Sequence, residues 1–283
     1  MNQDDVMDAI LRLWLGDDYA NADKAIREVA GYRVPSAEDQ PFVDFIRWIN
    51  SRPAFIVEWR NDPELEAKSY LRFMNGIASS RDGYAAASYH AARLREIELA
   101  VRGILETYDF GKTFAKGTTA TIGSLERCNF EYQAFVMAYR RSLDHFAWGL
   151  STYFKQQQTS FRKFSEQLSD KYHPQSVAKA LALVCDNNAA SFKFVMDKER
   201  GVSVRDRLAH KEAVQAGTIN VGSFGHQIIG GGENLGLRSF DEIPKLADVV
   251  DNRLLNLRTF FAEALGSFRG AVNQHEQAFP RQG

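Results

Sequence analysis

Proline is scarce in this chain, seven in 283 residues, and that scarcity leaves long stretches free to run as uninterrupted helix. Cysteine is scarcer still. Cys128 and Cys185 lack CxxC spacing, so they read as buried free thiols of a reducing compartment, not as a disulfide or a metal site. No apolar run approaches the length that spans a bilayer. The acidic start, Met1-Asn2-Gln3-Asp4-Asp5, lacks the basic and apolar regions of a signal peptide. The expectation is a cytoplasmic protein with no membrane partner. Charge of one sign is also missing: 35 Lys and Arg against 36 Asp and Glu leave a formal net charge of -1. Any site for a polyanion must therefore be a local patch.

Several chemistries lack their residues. The six histidines show neither HxxxH nor HExxH spacing, and no Cys/His cluster exists, so the expectation is no metal and no cofactor. The run Gly230-Gly231-Gly232 is not followed by Lys-Ser or Lys-Thr, which makes it a loop turn, not a phosphate cradle. The G-x-S-x-G elbow of serine hydrolases is absent.

What is present is helical periodicity. A composition 45% hydrophobic and 25% charged can bury a sizeable core. Leu94, Ile97, Val101, Ile104 and Leu105 form one stripe over about 86–107. Tyr132, Phe135, Val136, Tyr139, Leu143 and Phe146 form a clearer one over about 128–155. Two more cover about 176–198 and 242–270. Amphipathic helices of this kind bury their stripes against one another, so the expected fold is mainly α, an up-and-down helical bundle. Residues 1–80, broken by Gly16, Pro35, Pro41 and Pro53, read as an N-terminal helical lobe, and 81–283 as the bundle. Residues 213–232 mix β-branched residues with glycines, which predicts a short β-hairpin inserted near there.

One segment stands out chemically: Gly201-Val202-Ser203-Val204-Arg205-Asp206-Arg207-Leu208-Ala209-His210-Lys211. Gly201 suits the end of the preceding helix. Ser203, three before Asp206, resembles a capping box that opens a new one. Arg205 then falls in a first turn, where free backbone N–H groups already favour an anion. Asp206 and His210, four apart, share a helix face, so the carboxylate can orient the imidazole. The Lys and Arg at 193, 198, 200, 205, 207 and 211 outnumber the acids at 197, 199 and 206, giving a local positive patch. Guanidinium groups hold phosphate bidentately, and a histidine titrates near neutral pH. The same spacing also serves an ordinary salt-bridged surface helix.

Arg205-Asp206 followed by Ala209-His210 resembles the R-x4-H signature of the HEPN superfamily, in which a polar residue follows the arginine. The segment Tyr139–Trp148, with its Leu-Asp-His at 143–145, is similar to the earlier long helix of many bacterial members. The resemblance spans about 85–270 in organisation and leaves the N-terminal lobe uncovered. It implies a HEPN-like bundle that forms a homodimer, with two motifs facing across a composite cleft. The implied activity is metal-independent endoribonuclease cleavage, in which the RNA 2′-hydroxyl attacks the neighbouring phosphorus and leaves a 2′,3′-cyclic phosphate. His210 would act as general base or acid, Arg205 would hold the scissile phosphate, and Asp206 would orient one of them. Arg207 and Lys211 would contact the RNA backbone, and Asp144 or His145 would support the motif from the neighbouring helix. As i,i+4 pairs, Arg140–Asp144 and Arg141–His145 otherwise read as a solvated or interface salt-bridge face. The resemblance also implies a toxin or antiviral-defence setting, with an antitoxin or other partner protein. The alternative is a non-catalytic HEPN-like module that binds RNA, a nucleotide or a protein. Arg205 and His210, five apart, point about 140° apart on an ideal helix, so one copy makes an open site and the two-copy cleft carries the expectation.

Overall fold

The computed structural model describes residues 9–10, 12–25, 39–51, 53–61, 66–122, 125–196, 198–199, 202–203, 216–230 and 245–279. In chain order the helices are α1 (Tyr19–Lys24), α2 (Gln40–Asn50), α3 (Ala54–Asn61), α4 (Glu66–Leu105), α5 (Phe110–Thr113), α6 (Glu126–Tyr153), α7 (Phe161–Lys171), α8 (Gln175–Met196) and α9 (Leu246–Ala278). The strands are β1 (Thr119–Ile122), β2 (Lys198–Glu199), β3 (Val202–Ser203), β4 (Gly217–Gly222) and β5 (Gly225–Gly230). The protein is mainly helical, with a small three-stranded antiparallel sheet ordered β1-β4-β5. Among the described residues no helix is long and apolar enough to cross a membrane.

The scaffold is an antiparallel hairpin of α4 and α6. At 40 residues, α4 runs about 60 Å, twice the stretch that its apolar stripe predicts. Its inward face repeats at three- and four-residue steps through Phe73, Gly76, Ser80, Gly83, Ala87, Ala91 and Leu94, all buried. Small residues dominate the middle of that face, so it does not register as an apolar stripe. They let the backbones meet: a Cβ on Gly76 would lie 2.3 Å from Gly149 Cα, and one on Gly83 would lie 2.8 Å from Ser142 Cα. The Ser142 hydroxyl donates to Ser80 O at 3.0 Å in the same seam.

Around this hairpin α7, α8 and α9 close an aromatic core. Phe260 of α9 meets the rings of Phe146, Phe161 and Phe192 at 5.4, 5.4 and 4.9 Å, mostly edge-on, the geometry that ring quadrupoles favour. Cys128 and Cys185 are free and buried. The residues read as an N-terminal lobe share that core: Phe45 packs on Phe268 and Phe55 on Tyr153, at 5.9 and 5.1 Å. Residue 80 lies inside α4, so a boundary placed there would cut a continuous helix. Glu276 of α9 accepts the N–H groups of Ala54 and Phe55 at 3.0 and 2.9 Å, capping α3 from another helix.

The expected hairpin is present as β4 and β5, joined through Ser223 and Phe224. Gly225, at φ +102, supplies the left-handed backbone that a tight turn needs. The third strand, β1, pairs with β4 and had no separate signal in the sequence. Val221, Ile228 and Ile229 of the sheet are buried, and Ile228 joins the main core.

The seam yields a ranking. Gly76→Ala should destabilise the protein by about 1–3 kcal/mol through overpacking, even after a helix-propensity gain of about 1 kcal/mol. Gly149→Ala should cost less, because its Cβ would first meet Gly76 Cα at 3.1 Å. Urea midpoints of the two variants check the order.

Candidate functional site

Arg205, Asp206, Arg207, His210 and Lys211 lie outside the described residues, as do Gly201 and Val204. What the structure describes is the frame at either end of their segment. Helix α8 ends at Met196, earlier than the Gly201 stop read from the sequence. A two-residue ribbon intervenes, pairing Lys198 with Ser203 and Glu199 with Val202, so Ser203 sits in a strand. After the motif the chain is described again from Ala216, which is buried and begins the entry into β4.

Both ends are fastened to α6. At the exit, the Asn129 side-chain oxygen accepts the Ala216 N–H at 2.7 Å. At the entry, Arg140 donates through Nη1 to Val195 O at 3.5 Å and contacts Met196 Sδ. Its Nη2 reaches Ser160 Oγ at 3.4 Å, and its Nε pairs with Asp144 Oδ2 at 3.0 Å. The other oxygen of Asp144 accepts the Phe161 N–H at 2.9 Å, at the first residue of α7. The pair therefore spans two helix ends of opposite partial charge. The guanidinium sits at the carbonyl-rich end of α8 and the carboxylate at the N–H-rich end of α7, each where the dipole favours it. Ser160 makes no side-chain cap of its own, so Asp144 caps α7 from α6.

Of the solvated and interface readings of Arg140–Asp144, the structure has the pair packed between helices and not solvated. Their side chains are only 10% and 20% exposed, because α6 is covered by α7 and α8 on that side. Arg141 and His145, one position on, point outward, with Arg141 Nε at 3.3 Å from His145 Nε2. Burial first, and then the Arg141 charge, lower the His145 pKa, while Asp144 and Asp82 pull it up. Trp148 packs beside His145, ring centroids 6.1 Å apart. Of the two supporting candidates, Asp144 is thus tied through Arg140 to the residues from which the motif segment departs, and His145 belongs to the outer face.

Arg253 was missed. It is 7% exposed on α9, donates to the Tyr132 hydroxyl at 2.6 Å and lies 3.9 Å over the Phe194 ring, in the last turn of α8. A signal existed, since 253 falls three after Val250 and four before Leu257, on the apolar stripe itself. Tyr139 is fully buried beside Phe194, at 4.9 Å. Burial pushes its phenol pKa up, and Arg253 pulls the other way. His226 sits in β5 opposite Val221, its ring 6.2 Å from that of Phe110.

Two outcomes follow. Asp144→Ala removes both the partner of a largely buried arginine and the α7 cap, and should cost about 3 kcal/mol or more. Asp144→Asn keeps an acceptor for Phe161 and should cost less; thermal unfolding of both separates the contributions. For His145, Arg141→Ala should raise the pKa and Asp82→Asn should lower it, read by NMR titration. Because folding lowers this pKa, the folded chain binds the proton less readily than the unfolded one. Its contribution therefore falls as pH drops through the ordinary histidine range.

Neither family models, curated proteins nor solved structures give a match to this chain.

Proposed function

We propose that the protein is a metal-independent endoribonuclease of the HEPN type, acting in the cytoplasm as a homodimer. One observation carries the reading: the segment bearing the R-x4-H motif is fastened at both ends to one helix of a helical bundle, by Arg140 at Val195–Met196 and by Asn129 at Ala216. A catalytic segment has to hold its groups in a fixed relation to the substrate, and attachments on a rigid helix supply that. The buried Arg140 and Arg253 lie at the end of α8 that leads to the segment.

In this reading one His210 takes the proton from the 2′-hydroxyl as its oxygen attacks phosphorus. The P–O5′ bond breaks, and the His210 of the second copy gives a proton to the departing O5′, leaving a 2′,3′-cyclic phosphate and a 5′-hydroxyl. Arg205 holds the phosphoryl oxygens and stabilises their growing charge. Asp206 orients His210, and Arg207 and Lys211 hold the flanking backbone. The nucleophile belongs to the RNA itself, so the site needs proton transfer and charge stabilisation alone. The toxin or antiviral-defence role and a protein partner belong to this proposal through the HEPN resemblance.

The test is RNA cleavage in excess EDTA. Wild type should cut and leave cyclic-phosphate ends, and Arg205→Ala and His210→Ala should each abolish cutting with unchanged circular dichroism. Activity retained in His210→Ala sinks the mechanism. RNA that is bound and never cut by wild type moves the conclusion to a binding module.

A further inference from the structure

A cavity of about 540 Å³ lies between α7 and α8, within the size range of small-ligand sites. Only residues 172–174 separate the two helices, so they run antiparallel, and Phe161 meets Phe192 at 5.5 Å at the end away from the connection. Arg162 and Lys193, each next to one of these rings in sequence, therefore share that end of the cavity. Asp186, two turns before Lys193 on α8, lines the other end, and Glu166 lies beside Arg162 on the α7 wall. Lys193 and Asp186 thus stand apart along one groove, with the Arg162–Glu166 pair on its facing wall.

The middle is small and apolar. Ala189 lies between Asp186 and Lys193 on the α8 wall, with Cys185 and Met196 on the same lining. Burial first, and Asp186 second, push the Cys185 thiol up to about 12, so it stays protonated and acts as an apolar surface. Asp186 and Lys193 are seven residues apart, two helical turns or about 10 Å on one face. Neither forms an ion pair among the described residues, whereas Arg162 and Glu166 pair with each other at 2.8 Å. That pair is exposed, the kind that yields readily to a ligand. The cationic end borders Met196, the last residue of α8 and the contact of Arg140.

We propose that this groove binds one nucleotide unit whose base carries an exocyclic amino group. Lys193 and Arg162 take the phosphate, and the Asp186 carboxylate accepts from the amino group. The sugar crosses the gap over Ala189, beside the Ser165 hydroxyl. The separation of the charges is comparable to that between the phosphate and the amino edge of a nucleotide, and the order of charges sets the direction. A base whose edge offers a carbonyl in place of the amino group meets the carboxylate acceptor to acceptor and is disfavoured. That the unit belongs to an RNA chain rests on the ribonuclease reading; the binding chemistry does not.

The experiment is calorimetric or NMR titration of the full-length His210→Ala variant with AMP, CMP, UMP, adenosine and a 2′-O-methyl oligoadenylate. AMP and CMP should saturate, with UMP and adenosine each weaker by about ten-fold, the scale of one lost polar contact. Lys193→Glu should remove the advantage of AMP over adenosine, and Asp186→Ala the advantage of AMP over UMP; both positions are exposed on α8. Tighter binding of the oligoadenylate than of AMP identifies an RNA unit, and the reverse a free nucleotide. Absence of saturable binding, or binding that ignores both substitutions, overturns the proposal. AMP binding by a wild type that fails to cut RNA overturns the ribonuclease reading alone. Cleavage in EDTA with no nucleotide bound in the groove overturns the groove alone.

Discussion

The rest of the structure depends on how closely α4 and α6 approach at Gly76 and Gly149. With no side chain at either position, two helix backbones lie almost in contact, and the hairpin they form includes the longest helix among the described residues. Much of the remaining structure is placed against it. Helix α9 packs beside α8 and α4 and meets Phe146 of α6, α2 and α3 close one end through Phe45 and Phe55, and the sheet covers the other. A wider seam would move α6 away from α4 and carry with it each polar group that α6 presents to α7 and α8.

Those polar groups follow one pattern: helices capped from elsewhere. The first N–H groups of α3 go to Glu276 of α9, that of Phe161 in α7 goes to Asp144 of α6, and that of Ala247 in α9 goes to Glu98 of α4 at 3.3 Å. The residues before α7 and α9, Ser160 and Lys245, make no side-chain cap. Each of these carboxylates satisfies orphan backbone donors and fixes where one helix begins relative to another. Arg140 extends the device to a C-terminus, and Asn129 to the strand entry at Ala216. The residues described on either side of the motif segment are therefore tied to the same helix, α6.

How much of this was legible depends on range. The stripes of α6, α8 and α9 appear because Phe, Leu and Val at three- and four-residue spacing are local facts. The β4–β5 hairpin appears because glycines and β-branched residues mark turn and strands. The first half of α4 was not legible. Gly76, Ser80 and Gly83 are interior because of what faces them, and small residues carry no apolar signal. Strand β1 was missed for a similar reason: Thr119 to Ile122 are only four residues, and their partner lies about a hundred positions away.

The candidate site divides along the same line. The sequence by itself determined the chemistry available: an arginine and a histidine five apart with an acid between them, and no HxxxH, HExxH or CxxC spacing. These are properties of residue type and spacing. Only the tertiary structure decided that Arg140 and Asp144 are buried between two helix ends, that Arg253 enters the core, and that Arg162, Lys193, Glu166 and Asp186 border one groove. Such placements depend on which faces of α6, α7, α8 and α9 meet. That is settled by the packing of side chains far apart in the chain, which local spacing does not encode.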